Sequence, residues 1–150
     1  MKIIKAPERY TLTNKSIFLA GSIEMGKAEN WQNRVINSLK DLDITILNPR
    51  RDDWNWEWKQ TIDNPKFKEQ VEWELASLEK ATKIILYFDP NTKSPISLLE
   101  FGLFANSGKL IVCCQEGFWR KGNVDIVCNR YKIPMVENIE KLIEVTKLLL

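Results

Sequence analysis

A chain of 150 residues with 44% hydrophobic and 28% charged side chains can bury one ordinary core, and a single domain over 1–150 is expected. Its 22 basic and 20 acidic residues leave a net charge of +2, without the one-sided field of a protein that grips phosphate backbones, so no nucleic-acid polymer is expected as partner. The absence of histidine excludes Ser-His-Asp and Cys-His machinery and the HExxH zinc site, leaving carboxylates, Lys, Tyr, Cys and backbone dipoles for any catalysis.

The N-terminal MKIIKAPERY has neither an apolar h-region nor a small-residue cleavage site. No later apolar run reaches the length that spans a bilayer, so the expected location is the cytoplasm, with no membrane partner. Ser16 to Ala20, SIFLA, reads as a buried strand ending at Gly21. The loop that follows, LAGSIEMGK, brings glycines and the Ser22 hydroxyl to the end of that strand, where backbone N–H groups approach an anion or a sugar hydroxyl. It matches neither GxGxxG nor a Walker A loop, and a plain strand-to-helix turn is the alternative. Trp31, Val35, Leu39 and Leu42 recur at helical spacing, and ITIL, Ile44 to Leu47, is a second strand halted by Asn48 and Pro49.

NPRRDDWNWEWK, Asn48 to Lys59, then forms a polar, Trp-rich loop. Arg50 and Arg51 can contact a phosphate or pair with Asp52 and Asp53. Trp54, Trp56 and Trp58 alternate, so an extended segment presents all three on one side, to stack on a base, form a lid or an oligomer contact, or cover the core as a flap. The spacing of Asp52, Asp53 and Asp89 matches no metal-binding loop. Phe67, Val71, Leu75 and Leu78 define the inward stripe of a further helix, and Glu74 lies on that stripe while Glu72 points elsewhere.

IILYF, Ile84 to Phe88, is apolar on both faces, as a strand between two helical layers must be. Pro95 to Ser107, with proline near its start and Gly108 past its end, is a helix whose apolar run carries Glu100 in its middle. That carboxylate sits either on a narrow exposed strip, with or without a lysine partner, or inside, where burial raises its pKa. Two inward carboxylates, Glu74 and Glu100, on helices flanking one strand can meet at the end of the sheet as the pair that glycosyl transfer needs; two unrelated ion pairs are the alternative. KLIVCC is a fourth strand whose adjacent Cys113 and Cys114 face opposite ways, as reduced packing thiols. A short fifth strand falls near IPMV, around Pro134, and Glu137 to Leu149 closes the chain as an amphipathic helix.

Alternating strands and helices predict an α/β three-layer sandwich, a mostly parallel sheet of about five strands with helices on both faces. Ligands of such sheets sit at the carboxyl ends of the strands, which selects the loops after Ala20, Leu47, Phe88 and Cys114.

In their order, IFLAGSI, ILNPRRDDW, EQVEWELASLEKATKIILYF and SPISLLEFGLFANSGK resemble the nucleoside 2-deoxyribosyltransferase-like proteins, which include nucleoside 5′-monophosphate N-glycosidases, over about Ile17 to Val112. The resemblance implies a flavodoxin-like fold and cleavage of the bond between nucleobase and sugar, with no metal or organic cofactor. It places the nucleophile, in the element read here as EFG, on Glu100, and its catalytic partner on Glu74. It implies a substrate-binding set of Gly21, Ser22, Ile23 and Lys27 after the first strand, Arg50, Asp53 and Trp54 after the second, and Asp89, Ser94 and Ser97 around the third.

Two departures from the family pattern bear on substrate and activity. Ser94 stands where transferases commonly have a base-contacting Asp and monophosphate hydrolases a phosphate-binding Ser, which favours a nucleotide. Ala81-Thr82 replaces a common Ala-Asp pair, which keeps open a catalytically weak or inactive nucleotide-binding module. A homo-oligomer is implied as well, because members commonly complete the pocket with a neighbouring subunit.

Overall fold

Strands β2 (Ser16–Gly21), β3 (Thr45–Asn48) and β5 (Leu110–Cys114) are buried at every position, and β4 (Lys83–Phe88) at all but its first. Such strands need cover on both faces, which only a parallel sheet between helical layers supplies. The computed structural model describes residues 1–23, 30–51, 53–55 and 57–150. It also contains β1 (Lys2–Lys5), β6 (Met135–Val136) and helices α1 (Trp31–Leu39), α2 (Pro65–Lys80), α3 (Pro95–Phe104), α4 (Lys121–Tyr131) and α5 (Ile139–Leu149).

All six strands pair in parallel, in the order β1-β3-β2-β4-β5-β6. Without β1 this is the doubly wound order in which the chain leaves its first strand one way and then reverses. The reversal falls between β2 and β4, paired from Ile17↔Lys83 to Gly21↔Tyr87. The expected sheet of about five strands is thus extended by one at its β3 edge. Lys2–Lys5 was not foreseen as a strand because its KIIK is too short to show a period. Helix α4 was likewise missed: its buried residues are Val124 and Cys128 alone, and no side chain caps its start.

Two cores lie on opposite faces of the sheet. Phe18, Ala20, Leu86, Phe88, Val112 and Cys114 pack with Leu78, Phe101, Val124 and Cys128 from α2, α3 and α4. Leu19, Ile85, Tyr87, Ile111 and Cys113 pack with Trp31, Val35, Leu39 and Leu142 from α1 and α5. Cys113 and Cys114 therefore face opposite layers, both buried and unpaired, and desolvation pushes each thiol up to about 12. No helix among the described residues is long and apolar enough to cross a membrane.

Gly21 closes β2 where nothing larger fits. Its φ is +135°, and a Cβ there would lie 2.4 Å from the Tyr87 carbonyl oxygen and 3.1 Å from the Trp31 ring. The close approach lets the Ser22 N–H bond Tyr87 O at 2.9 Å and the Trp31 indole N–H bond Ser22 O at 3.0 Å. Helix α3 ends at Phe104, three residues before the expected Ser107, and Gly108 follows at φ +71°.

Candidate active site

A cavity of about 620 Å³ opens at the carboxyl ends of β2 and β3, between α2 and α3. Glu100 forms part of its wall. The rotation of α3 reverses the usual arrangement: Ser97, Glu100 and Phe101 are buried, while Ile96, Leu99 and Leu103 are 59%, 58% and 58% exposed. Burial pushes the Glu100 carboxyl up to about 8, and the nearby charge of Glu74 adds to the shift. A carboxylic acid with this pKa stays protonated at neutral pH.

Glu74 faces the same cavity from α2, whose start is set by Asn64, with its side chain capping the Lys66 and Phe67 N–H groups, and by Pro65. Gln70, Ser77 and Leu78 are the residues α2 buries fully, and Phe67, Val71 and Leu75 form the apolar cavity wall beside them. Desolvation raises the Glu74 carboxyl, opposed by a hydrogen bond from Gln70 Nε2 to Glu74 Oε1 at 2.7 Å. The same Nε2 donates to Pro49 O at 2.9 Å. Gln70 was not foreseen as a site residue; the available signal was its position four residues before Glu74 on one helical face.

Ser94 begins α3 in the left-handed region, φ +48°, although it is not glycine and precedes a proline. Such a conformation costs on the order of 1 kcal/mol and persists only where surrounding contacts impose it. Those contacts are hydroxyls: Ser94 Oγ lies 2.6 Å from Ser22 Oγ and 2.7 Å from Thr92 Oγ1, and Ser22 and Thr92 are 2.9 Å apart. The Asp89 N–H donates to Ser22 Oγ at 3.0 Å. Because the Ser94 hydroxyl is turned into this buried cluster, no side chain caps the first turn of α3. Ser94, Pro95, Ile96 and Ser97 all line the cavity, so the positive end of the helix dipole lies at its edge. Thr92 is a second residue the sequence reading did not single out.

The other expected residues divide. Gly21, Ile23, Arg50 and Trp54 line the cavity with Arg51 and Gln60. Asp53 is turned away into a two-pronged ion pair with Arg51, at 2.8 and 2.9 Å, and Arg51 also reaches Glu69 at 3.4 Å. Ser22 lies behind the cavity surface in the hydroxyl cluster. Asp89 is buried, with Oδ1 accepting the Asn91 N–H at 2.8 Å, so it shapes the turn after β4. Lys27, Asp52 and Trp56 lie outside the described residues. Trp54 and Trp58 meet edge to face, 5.2 Å between centroids, and the Arg51 guanidinium covers Trp58. Among the described residues no three His, Cys, Asp or Glu side chains converge as a metal site.

Thr82 sits at the opposite end of the sheet. It precedes β4, exchanges hydrogen bonds with Ser16 at the start of β2, and is separated from the cavity by the length of the strand.

No curated protein matches the chain in sequence. A crystal structure of a conserved protein from Enterococcus faecalis V583 is similar in fold, with a TM-score of 0.63 at 15% identity, covering 91% of this chain and 99% of that one. The sequence profile described as nucleoside 2-deoxyribosyltransferase like matches residues 14–118, a span holding β2 through β5, the cavity and both inward carboxyls. The chain belongs to the nucleoside 2-deoxyribosyltransferase-like family.

Proposed function

We propose that the protein cleaves the N-glycosidic bond of a nucleoside 5′-monophosphate, with Glu100 as nucleophile. The observation that carries this reading is a pair of carboxyls, Glu100 and Glu74, in the wall of one cavity at the switch point of the sheet, with the proton affinity of Glu100 raised by burial first and by Glu74 second. In the reaction Glu100 passes its proton to Glu74, and its freed oxygen attacks the anomeric carbon. The carbon–oxygen ester bond forms, the carbon–nitrogen bond breaks, and the departing base takes the proton from Glu74. Water then attacks the anomeric carbon and gives one proton to Glu74, the ester bond breaks to free Glu100 as a carboxylate, and the proton returns from Glu74 to Glu100. A second base in place of water makes the same step a transfer.

The preference for a 5′-phosphate is supported by Ser94 and Ser97 in the cavity wall, the start of α3 without a side-chain cap, and the cationic Arg50. The apolar wall formed by Phe67, Val71 and Trp54 suits the base. Thr82, remote from the cavity, gives no reason to regard the site as an inactive binding module. The exposed Ile96, Leu99 and Leu103 at the cavity rim support a homo-oligomer in which a second copy covers them.

Incubation with a panel of nucleosides and their 5′-monophosphates, followed by chromatography for free base, tests the reading. Free base is expected from a monophosphate, and added second base is expected not to divert the sugar into a new nucleotide. No release from any substrate, or equal release by Glu100→Ala, refutes it; a new nucleotide assigns transfer instead.

A further inference from the structure

Gln70 is 3% exposed, and both protons of its single amide nitrogen are used, one on Pro49 O at 2.9 Å and one on Glu74 Oε1 at 2.7 Å. Turning the amide over would set its oxygen against a carbonyl oxygen and a carboxylate oxygen, so these two acceptors determine which way it points. The consequence falls on Oε1, which is enclosed and has no hydrogen-bond partner. A buried amide oxygen left unpaired costs free energy that a leucine or methionine at the same place would avoid. What the amide gives in return is a tether: it joins α2 to the segment directly after β3 and holds one Glu74 oxygen between them.

We propose that Gln70 is a positioning residue that acts through Glu74, orienting its carboxylate toward Glu100 and keeping it ionised as a proton acceptor. The proposal rests on the reading of Glu74 as the catalytic partner. The hydrogen bond lowers the proton affinity of Glu74 against the raising effect of burial, and the charge so preserved is one that raises Glu100. Other charged groups at this cavity are Glu100 on α3 and Arg50 and Arg51 between β3 and α2, with Arg51 already paired to Asp53 and Glu69. Among the described residues, Gln70 is the side-chain donor seen to reach Glu74.

The test combines a titration with kinetics on the full chain. Carboxyl carbon-13 NMR of wild type and Gln70→Met follows the protonation of Glu74; its midpoint is expected to move upward in the variant. The kcat of Gln70→Met on the cleaved substrate is expected to fall about tenfold or more at pH 6 and less at pH 9. In a Glu74→Gln background the same substitution is expected to change kcat less than about twofold. An unmoved Glu74 midpoint, or a pH-independent loss that adds to that of Glu74→Gln, overturns the proposal and leaves Gln70 as packing. If wild type cleaves nothing, the proposed function fails, while the NMR titration still decides the role of Gln70. If Gln70→Met does not fold, the wild-type Gln70 amide protons decide it. They should exchange slowly and shift as Glu74 titrates, and fast, pH-independent signals overturn the proposal.

Discussion

Burial of Glu100 gives the stability of the protein a pH dependence opposite to that of a salt-bridged acid. Its carboxyl rises from the model-compound 4.5 to about 8 on folding, so between these limits the folded state binds more protons than the unfolded one. The contribution of this group to stability is greatest below pH 4.5 and is lost as pH rises through about 8. Urea unfolding of wild type is expected to give a free energy lower by about 2–4 kcal/mol at pH 8.5 than at pH 5.5, and Glu100→Gln should flatten that slope. The same substitution is expected to reduce base release by about a thousandfold or more, because no carboxylate remains to form the ester. For Ser94→Ala, whose hydroxyl completes the buried cluster, we expect a KM about tenfold higher for a 5′-monophosphate and little changed for the nucleoside, measured by steady-state kinetics. At this scale the sequence revealed Glu74 and Glu100 as an inward pair. It concealed Gln70 and Thr92, since neither departs from what an ordinary helix or turn contains.

The elements place these residues through two backbone features that a pattern of apolar positions does not encode. Gly21 brings the end of β2 against β4, which positions Ser22 for the hydroxyl cluster. Gly21→Ala puts a methyl group into the Tyr87 backbone and forces a positive φ on alanine. A loss of about 3 kcal/mol or more is expected by denaturant melting, with expression failure as the extreme. Ser94 sets the rotation of α3. With its φ at +48° the helix begins so that Ser97 and Glu100 turn inward and three aliphatic residues turn out. An amphipathicity argument applied to PISLLEFGLF favours the reverse, because it counts apolar side chains and contains no information on the entry angle of the chain. Helix α4 went unread for a related reason: two buried residues make too narrow a stripe to register as a period.

On the scale of the whole molecule, the doubly wound sheet places the cavity at one end and Thr82 at the other. Thr82→Asp is therefore expected to leave kcat/KM within about twofold of wild type; a large change would place the far end of β4 in the mechanism. The exposed stripe of α3 makes a different prediction. Leu99→Glu puts a charge at its centre and is expected to lower the mass measured by light scattering, with an unchanged mass refuting a self-association through that face. The chain by itself determined the layers, because strands buried on both faces and flanked by helical periods have few other ways to satisfy their backbone and cover their side chains. Its lack of histidine also confined any catalysis to carboxylates, Lys, Tyr, Cys and backbone dipoles. Only the tertiary structure decided which side of α3 faces the cavity, which amide holds Glu74, and that Thr82 is a strand length away. Those facts depend on backbone torsions and on contacts between residues distant in the chain, which periodicity along one segment cannot register.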